Sequence, residues 1–162
     1  MQKGFASLEI ILTVMIIALL ATVAVPNAAR ILDKVALDYE RKRLYSELQF
    51  LRTFDRSANV DATGLNMPNF FVGKKKTIRS VAIMNFDFYA NSYQIFRGGK
   101  PVREPHYLSY GVTFSDETDV PKQIQFDAKG TANVNSKTIV LKSPRGYTTK
   151  LRFDSVGRIR GD

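Results

Sequence analysis

The stretch KGFASLEIILTVMIIALLATVAVPNAAR (Lys3–Arg30) decides how this chain is built, because it reads as a membrane helix. Between its two ends, Glu9 is the only ionisable side chain. At roughly 1.5 Å per residue, a helix from Phe5 to Val25 covers about 31 Å, the thickness of a bilayer's hydrocarbon core. A secretory signal has a shorter apolar region of about 7–15 residues. We therefore predict a membrane-spanning helix that carries one carboxylate.

The helical pattern continues past the apolar run into a soluble half. Pro26 lacks a backbone donor and crowds the carbonyl four residues earlier, so we expect a kink there rather than an end. From Ala28 to about Arg56, leucines at spacings of three, four and seven share one face, which a soluble helix would bury against a sheet. The predicted face comprises Leu37, Leu44, Leu48 and Leu51, backed by Tyr45 and Phe54.

Charged residues fill the rest of this helical half. We expect them to form a solvated face, on which Glu47 and Arg43 are four apart and able to pair weakly. The charged set is Asp33, Lys34, Asp38, Glu40, Arg41, Arg43 and Glu47.

The remainder of the chain predicts one small β-rich domain. Ser57–Thr77 has little periodicity and reads as a loop with a short strand at Asn69–Val72. Turn chemistry predicts a turn at Gly98–Pro101 and a hairpin turn at Ser143–Gly146. The predicted strands are Ser80–Tyr89, Ser92–Phe96, Leu108–Phe114, Gln123–Phe126, Thr138–Lys142, Tyr147–Phe153 and Arg158–Arg160. The fold class is α+β: a long helix laid into an antiparallel sheet, or between two small sheets.

The N-terminal residues Lys3-Gly4-Phe5-Ala6-Ser7-Leu8-Glu9, followed by the apolar run, resemble the class III signal of type IV pilins and type II secretion pseudopilins. The resemblance implies that prepilin peptidase cuts between Gly4 and Phe5 and that the new N-terminal Phe5 is methylated. It also makes Glu9 the fifth mature residue, where the family keeps a Glu for assembly.

Physical chemistry gives a reason for Glu9 to have a partner. A carboxylate inside the bilayer costs on the order of 3 kcal/mol, so such residues usually face a partner. The resemblance implies that the α-amino group of Phe5 meets Glu9 of a neighbouring subunit, and such pairing would offset the desolvation cost and set the subunit register. The alternative is that Glu9 extends to the headgroup region, since it lies four residues from the start of the span.

A second resemblance concerns the C-terminal tail. The residues from Ile124 to Gly130, and then Ser155-Val156-Gly157-Arg158-Ile159-Arg160, resemble the F-x-x-x-G … G-R-x-R tail of H-type pseudopilins and FimT-type minor pilins. In that subfamily the helix lies between two small sheets.

The family resemblance also implies an arrangement across the membrane. Residues 1–4 would be the leader, 5–25 the transmembrane half of the helix, 26–56 its soluble half and 57–162 the globular domain. The leader would be cytoplasmic and the domain extracytoplasmic, anchored in the inner membrane and assembled with other pilin or pseudopilin subunits. The cations Arg30, Lys34, Arg41, Lys42 and Arg43 beyond the span oppose this orientation weakly by the positive-inside tendency.

Residues for catalysis or cofactors are scarce. The single His, His106, lies in a predicted turn, Glu104–Tyr107, and the chain has no Cys. Gly98-Gly99-Lys100 lacks the further residues of a phosphate loop. Asp116–Asp119 could hold a hard cation, but a solvated acidic loop is the simpler interpretation. We expect no enzyme activity, no cofactor and no metal.

The charge balance suggests a polyanion partner. Lys and Arg number 24 against 15 Asp and Glu, a net charge of +9. Arg158 and Arg160 would share one side of a strand, about 6.6 Å apart, with Lys150 and Arg152 on the preceding strand. The resemblance implies DNA capture through this GRxR motif in some FimT-type minor pilins. The alternative is that these cations protect a sheet edge from aggregation.

Overall fold

One uninterrupted helix, α1, runs from Lys3 to Gly64 and is the longest element of the protein. The computed structural model describes residues 3–64, 82–126, 130–134, 136–154 and 156–161. Within α1, the side-chain surroundings are described from Leu8 to Phe54. The predicted strand at Asn69–Val72 therefore lies outside the described residues.

The predicted end of the helix near Arg56 is wrong, because α1 continues to Gly64. No Pro or Gly lies between these two positions, so nothing in the backbone chemistry stops the helix earlier. The interpretation of Ser57 onward as loop fails over Ser57–Gly64.

Nine short strands follow α1 in the described part of the chain, and their pairings are all antiparallel. They are β1 (Ala82–Asp87), β2 (Ser92–Arg97), β3 (Lys100–Pro101), β4 (His106–Tyr107), β5 (Thr113–Phe114), β6 (Gln123–Gln125), β7 (Lys137–Lys142), β8 (Thr148–Phe153) and β9 (Ile159–Gly161). They form two sheets, which confirms the predicted α+β class and its two-sheet variant.

The first sheet has the strand order β3-β2-β1-β6, with β4 also paired to β2. Strands β1 and β2 form the predicted hairpin, in which Asp87 lies opposite Ser92. The Asp87 carboxylate accepts hydrogen bonds from the N–H groups of Tyr89 (3.0 Å) and Ala90 (2.9 Å). This side chain therefore closes the turn, as Asp commonly does.

The second sheet has the strand order β5-β7-β8-β9. The predicted turn at Ser143–Gly146 joins β7 to β8, and the Ser143 N–H donates to the Tyr147 carbonyl across it at 2.8 Å. Gly146 has a φ of 86°, a conformation that glycine adopts without strain. The β7–β8 hairpin is therefore set by local turn chemistry.

Three predicted turns and strands need correction. Only Gly98 and Gly99 form the turn after β2, since Lys100–Pro101 is β3. The predicted strand Leu108–Phe114 is reduced to β5, because Tyr110 and Gly111 both have positive φ. Within the predicted turn Glu104–Tyr107, the last two residues form β4.

The soluble half of α1 packs against β1 of the first sheet and against β7, β8 and β9 of the second. The four predicted leucines are buried, and they meet residues of both sheets in one core. Tyr45 is 40% exposed, so its assignment to the buried face is wrong. It follows Leu44 directly, and one residue turns the helix by about 100°, away from the sheets.

Candidate assembly and nucleic-acid interfaces

The side chains of α1 from Leu8 to Val25 are not covered by any other described element. Every residue from Leu8 to Val25 is exposed, and the large apolar side chains among them retain 50–66% of their surface. Among the described residues, α1 is the one helix long and apolar enough to cross a membrane, with a mean hydropathy of 2.7 over its best window. A surface that is apolar on all sides requires lipid or other apolar helices around it.

Glu9 lies on this apolar half with an exposed side chain. Its backbone carbonyl accepts a hydrogen bond from the Thr13 hydroxyl at 2.9 Å. Among the described residues, no group pairs with its carboxylate. Gly4 and Phe5 lie within α1, and their side chains fall outside the described set. Glu9 is therefore available to a group from another molecule.

Pro26 lies inside α1, at the junction between the exposed half and the packed half. The helix passes through it without ending, as predicted. Because proline donates no backbone hydrogen bond, the carbonyl four residues earlier loses its helical partner.

Three carboxylates on the packed half, seven residues apart, reach basic side chains of the β-domain. Asp33 pairs with Arg145 at 2.7 Å, and Glu47 pairs with Arg103 at 2.8 Å. Between them, Glu40 bonds to His106 at 2.9 Å. The sequence interpretation of these acids as a solvated face is wrong, since Asp33 and Glu40 are buried and Glu47 is half-buried. We refer to Asp33, Glu40 and Glu47 as the acidic row.

Glu40 is the most enclosed member of the acidic row, with no surface exposed. One carboxylate oxygen accepts the Ser109 N–H at 2.9 Å, and the other meets His106 Nε2. The His106 ring lies edge-on to Tyr93, with centroids 5.1 Å apart. Burial also raises the pKa of the Tyr93 phenol. Both oxygens of the Glu40 carboxylate thus have hydrogen-bond partners, which a buried polar group needs.

Glu47 pairs with a residue of the β-domain rather than with its own helix. Both of its oxygens accept from Arg103 Nη1, at 2.8 and 3.0 Å. The Arg103 guanidinium also lies 4.3 Å from the centre of the Phe50 ring, a cation–π distance. The predicted pairing of Glu47 with Arg43 is therefore wrong; Arg43 donates instead to the Tyr39 hydroxyl at 3.2 Å.

The basic C-terminal residues lie on and beside the outer face of the second sheet. Arg152 and Arg160 are opposite each other on β8 and β9, and both are exposed. Lys150 is two residues before Arg152 on the same strand face, while Leu151 is buried on the inner face. Arg158 is exposed just before β9, and Ile159 is buried. The predicted alternation is present, and we call Lys150, Arg152, Arg158 and Arg160 the basic face.

Carboxylates reduce the charge of this basic face. Arg158 Nε donates to Asp154 at 2.7 Å, and the Arg158 N–H donates to the same carboxylate at 2.8 Å. The backbone bond, with the side-chain bond, holds the pKa of Asp154 below its usual value. Lys150 lies 3.7 Å from Glu117. No ion pair joins Arg160 to a described residue, whereas Arg152 has an interaction partner of its own.

The glycines of the tail motif have a structural role that the sequence did not predict. Gly157 has a φ of 76°, and a Cβ there would overlap the carbonyl oxygen of Gly130. The same Cβ would lie 3.5 Å from the Phe126 ring. Three residues of the F-x-x-x-G … G-R-x-R motif, Phe126, Gly130 and Gly157, therefore lie close together. Their packing fixes the turn before β9. Asp127–Lys129 and Ser155, which belong to the motif region, lie outside the described residues.

The other polar candidates have structural partners. In the acidic loop, Asp119 bonds to Lys137 at 2.8 Å, and Glu117 faces Lys150. Among the described residues, no three His, Cys, Asp or Glu side chains converge on a possible metal position. His106 is bonded to the buried Glu40.

The chain is similar to the crystal structure of the type IV minor pilin FimU from Pseudomonas aeruginosa, at 19% sequence identity and a TM-score of 0.43. The alignment covers 72% of this chain and 88% of that chain. No protein-family model and no curated protein matches the sequence.

Proposed function

We propose that this chain is a membrane-anchored minor subunit of a type IV pilus or a type II secretion pseudopilus. The observation that carries the proposal is the apolar half of α1, which is exposed on every side and continuous with the half that packs on the β-domain. Such a helix can anchor the subunit in lipid and then pack against the helices of neighbours. Prepilin peptidase would cut between Gly4 and Phe5, and Phe5 would then be methylated.

The proposed division of the chain follows from this processing. Residues 1–4 form the leader, 5–25 the transmembrane half, 26–56 the first soluble part of the helix and 57–162 the rest of the subunit. The β-domain would be extracytoplasmic, with the anchor in the inner membrane before assembly. A minor pilin of this kind acts as a structural subunit without catalysis, cofactor or metal.

Glu9 would carry the assembly contact. Its carboxylate has no partner among the described residues of a single chain, so the α-amino group of Phe5 on a neighbouring subunit can pair with it. An unpaired carboxylate in lipid is disfavoured by on the order of 3 kcal/mol. Pairing would therefore favour the one axial register in which the two charges meet.

The test compares Glu9→Ala with the control Thr13→Ala, one helical turn away. We expect both variants to insert and to be processed to a chain that begins at Phe5, as read by mass spectrometry. Only Glu9→Ala should fail to enter filaments sheared from cells or the isolated secretion complex. Wild-type incorporation of Glu9→Ala would remove Glu9 from the mechanism, and a mature chain that begins at Met1 would remove the filament assignment itself.

A second candidate function is DNA binding by a minor pilin of a competence pilus. It is favoured by the opposed, exposed pair Arg152 and Arg160, flanked by Lys150 and Arg158. Cations at this spacing can contact several phosphates, with an affinity that falls as salt rises and depends little on sequence. The ion pairs of Arg158 and Lys150 would have to exchange their carboxylates for phosphates.

The DNA proposal is tested with double-stranded oligonucleotides and the full chain in detergent. Arg158→Ala/Arg160→Ala should lose most salt-dependent binding, whereas Lys100→Ala/Lys122→Ala removes the same charge from the first-sheet region and should retain it. Equal binding by all three proteins would exclude the GRxR residues as the DNA site. In that case the basic face would serve only to protect the edge of the sheet.

A further inference from the structure

A group of cations lies where the β7–β8 hairpin contacts α1 close to its membrane-spanning half. The β7–β8 hairpin reaches back along the helix, and Arg145 at its tip donates to the Ala29 carbonyl at 3.0 Å and to Asp33 at 2.7 Å. Ala29 lies four residues beyond Val25, about 6 Å along the helix axis. The headgroup layer on each side of a bilayer is about 5–8 Å thick. The tip of the hairpin is therefore at headgroup depth when residues 5–25 span the bilayer.

Three further cations lie next to this tip along the chain, two on α1 and one on the hairpin. Arg30 and Lys34 are exposed on successive turns of α1, and the Lys34 ammonium lies 5.8 Å from the Tyr147 ring just after the hairpin turn. Lys142 is exposed at the end of β7, directly before the hairpin turn. We call Arg30, Lys34, Lys142 and Arg145 the basic collar.

The collar keeps a net positive charge after its internal pairing. Asp33 is the one carboxylate bonded to a collar member among the described residues, so four cations minus one anion leave an excess of three. Side chains of an α-helix lean toward its N-terminus, which directs Arg30 and Lys34 toward the membrane. Long basic side chains can then place their charges among headgroups while their methylenes stay against apolar surface.

We infer that the basic collar binds the phosphates of anionic phospholipid headgroups on the extracytoplasmic face of the membrane. This inference rests on the proposed function, because it requires residues 5–25 to span the bilayer. The positive-inside tendency disfavours Arg30 and Lys34 on this side of the membrane. Binding to anionic headgroups would offset that cost. It also implies that headgroup contacts must be released when the subunit leaves the bilayer for a filament.

The inference separates the collar from the basic face on the second sheet. The collar lies beside Ala29 and Asp33, whereas Arg158 lies near Gly157, which packs on Gly130 beside Arg52 at the far end of the packed helix. From Ala29 to Arg52 the helix rises about 35 Å. A planar membrane that touches the collar therefore lies far from Arg158.

The test uses the full chain in nanodiscs made of equal parts phosphatidylcholine and phosphatidylglycerol. Native mass spectrometry measures which lipids stay bound to the released protein. We expect preferential retention of phosphatidylglycerol, reduced in Arg30→Gln/Lys142→Gln by a factor on the order of five or more. Both substituted side chains are exposed and have no ion pair among the described residues, so the fold should be kept. The control Lys100→Gln/Arg158→Gln removes equal charge far from Ala29 and should retain phosphatidylglycerol as wild type does. Lys100 lies opposite Arg97, whose guanidinium is 4.7 Å from the centre of the Phe54 ring near the far end of the packed helix.

Each other result overturns the inference in a distinct way. Equal lipid retention by wild type and the collar variant would exclude the collar as the headgroup site. Equal loss in the collar variant and the control would indicate nonspecific attraction by the whole domain. Loss of oligonucleotide binding in the collar variant, with lipid retention unchanged, would assign the collar to nucleic acid. Failure of the chain to enter nanodiscs, checked by flotation, would instead refute the membrane anchor and the proposed function with it.

Discussion

Both halves of α1 contain leucines, but these side chains are exposed in the first half and buried in the second. In the first half, Leu12 retains 55% of its surface and Leu20 retains 66%. In the second half, Leu44, Leu48 and Leu51 have none exposed. The first half is apolar around its whole circumference, and the second has a polar face as well. The distribution of apolar residues around the helix therefore determines what surrounds each half. The first half needs lipid or other apolar helices, and the second half packs on the chain's own sheets.

The two halves also differ in how they accommodate a carboxylate away from water. Glu40 is buried, and both its oxygens are bonded within the chain. Glu9 is on the apolar half, and no described residue of the same chain bonds to its carboxylate. Because an unpaired charge in an apolar medium is costly, the second arrangement supports the proposed pairing of Glu9 with a neighbouring subunit.

The largest expected difference between the halves comes from removing one leucine from each. Leu48→Ala leaves a cavity where helix and sheets meet and should lower the free energy of unfolding of the β-domain by about 3–4 kcal/mol. Leu19→Ala, on the exposed half, should leave that free energy unchanged. Urea unfolding in mild detergent, followed by tyrosine fluorescence, measures both. Equal destabilisation by the two variants would mean that the halves are not energetically separate.

A smaller effect is expected from the two carboxylates. Glu40→Ala leaves the Ser109 N–H and His106 without their acceptor and should destabilise the domain by about 2–3 kcal/mol. Glu9→Ala should not change the stability of the isolated chain, since its proposed partner is another subunit. The same unfolding measurement compares them. A stability loss in Glu9→Ala would point to an acceptor within the chain and weaken the intersubunit pairing.

The contact at the junction of the halves should contribute less. Arg145→Ala leaves the buried Asp33 carboxylate without its ion pair, but Arg145 itself is half exposed, so we expect a loss of about 1–2 kcal/mol. Lys142→Ala, directly before the turn of the same hairpin, is the control and should be neutral. No loss in Arg145→Ala would show that water replaces the guanidinium at Asp33.

The smallest effect is a pH dependence at the basic face, far from both halves of the helix. The pKa of Asp154 is lowered by the Arg158 N–H, so this contact stabilises the fold fully above the unfolded pKa of about 4. The contribution is lost as pH falls through the lower folded pKa. Asp154→Asn should therefore lower the free energy of unfolding at neutral pH. Below pH ~3 the free energies of unfolding of the variant and the wild type should become more similar. A difference that stays constant from neutral to acidic pH would contradict this.

Sequence reasoning succeeded where the physical signal is local. The apolar run, the leucine spacing and the Ser143–Gly146 turn each depend on near neighbours, and each predicted element is present. The short strands β3 and β4 were missed because two residues carry no periodicity, and their pairing to β2 is decided across the sheet.

The acidic row was missed for a related reason. Charged residues on a helix are usually solvated, and nothing local distinguishes Glu40 from the exposed Lys42. The spacing of seven between the three carboxylates was a signal that could have indicated a common face. The spacing could not be interpreted from the helix alone, because the partners of the three carboxylates come from distant parts of the chain. These partners are Arg145, His106 and Arg103.

The amino-acid sequence by itself determined the long helix, the lipid-compatible half and the lone carboxylate within it, because these follow from hydropathy and helix geometry over adjacent residues. Tertiary structure alone decided which charges are buried, which glycines meet before β9 and which cations gather beside Ala29. Those properties depend on contacts between residues far apart in sequence, where burial removes water and a charge must find its partner in the fold.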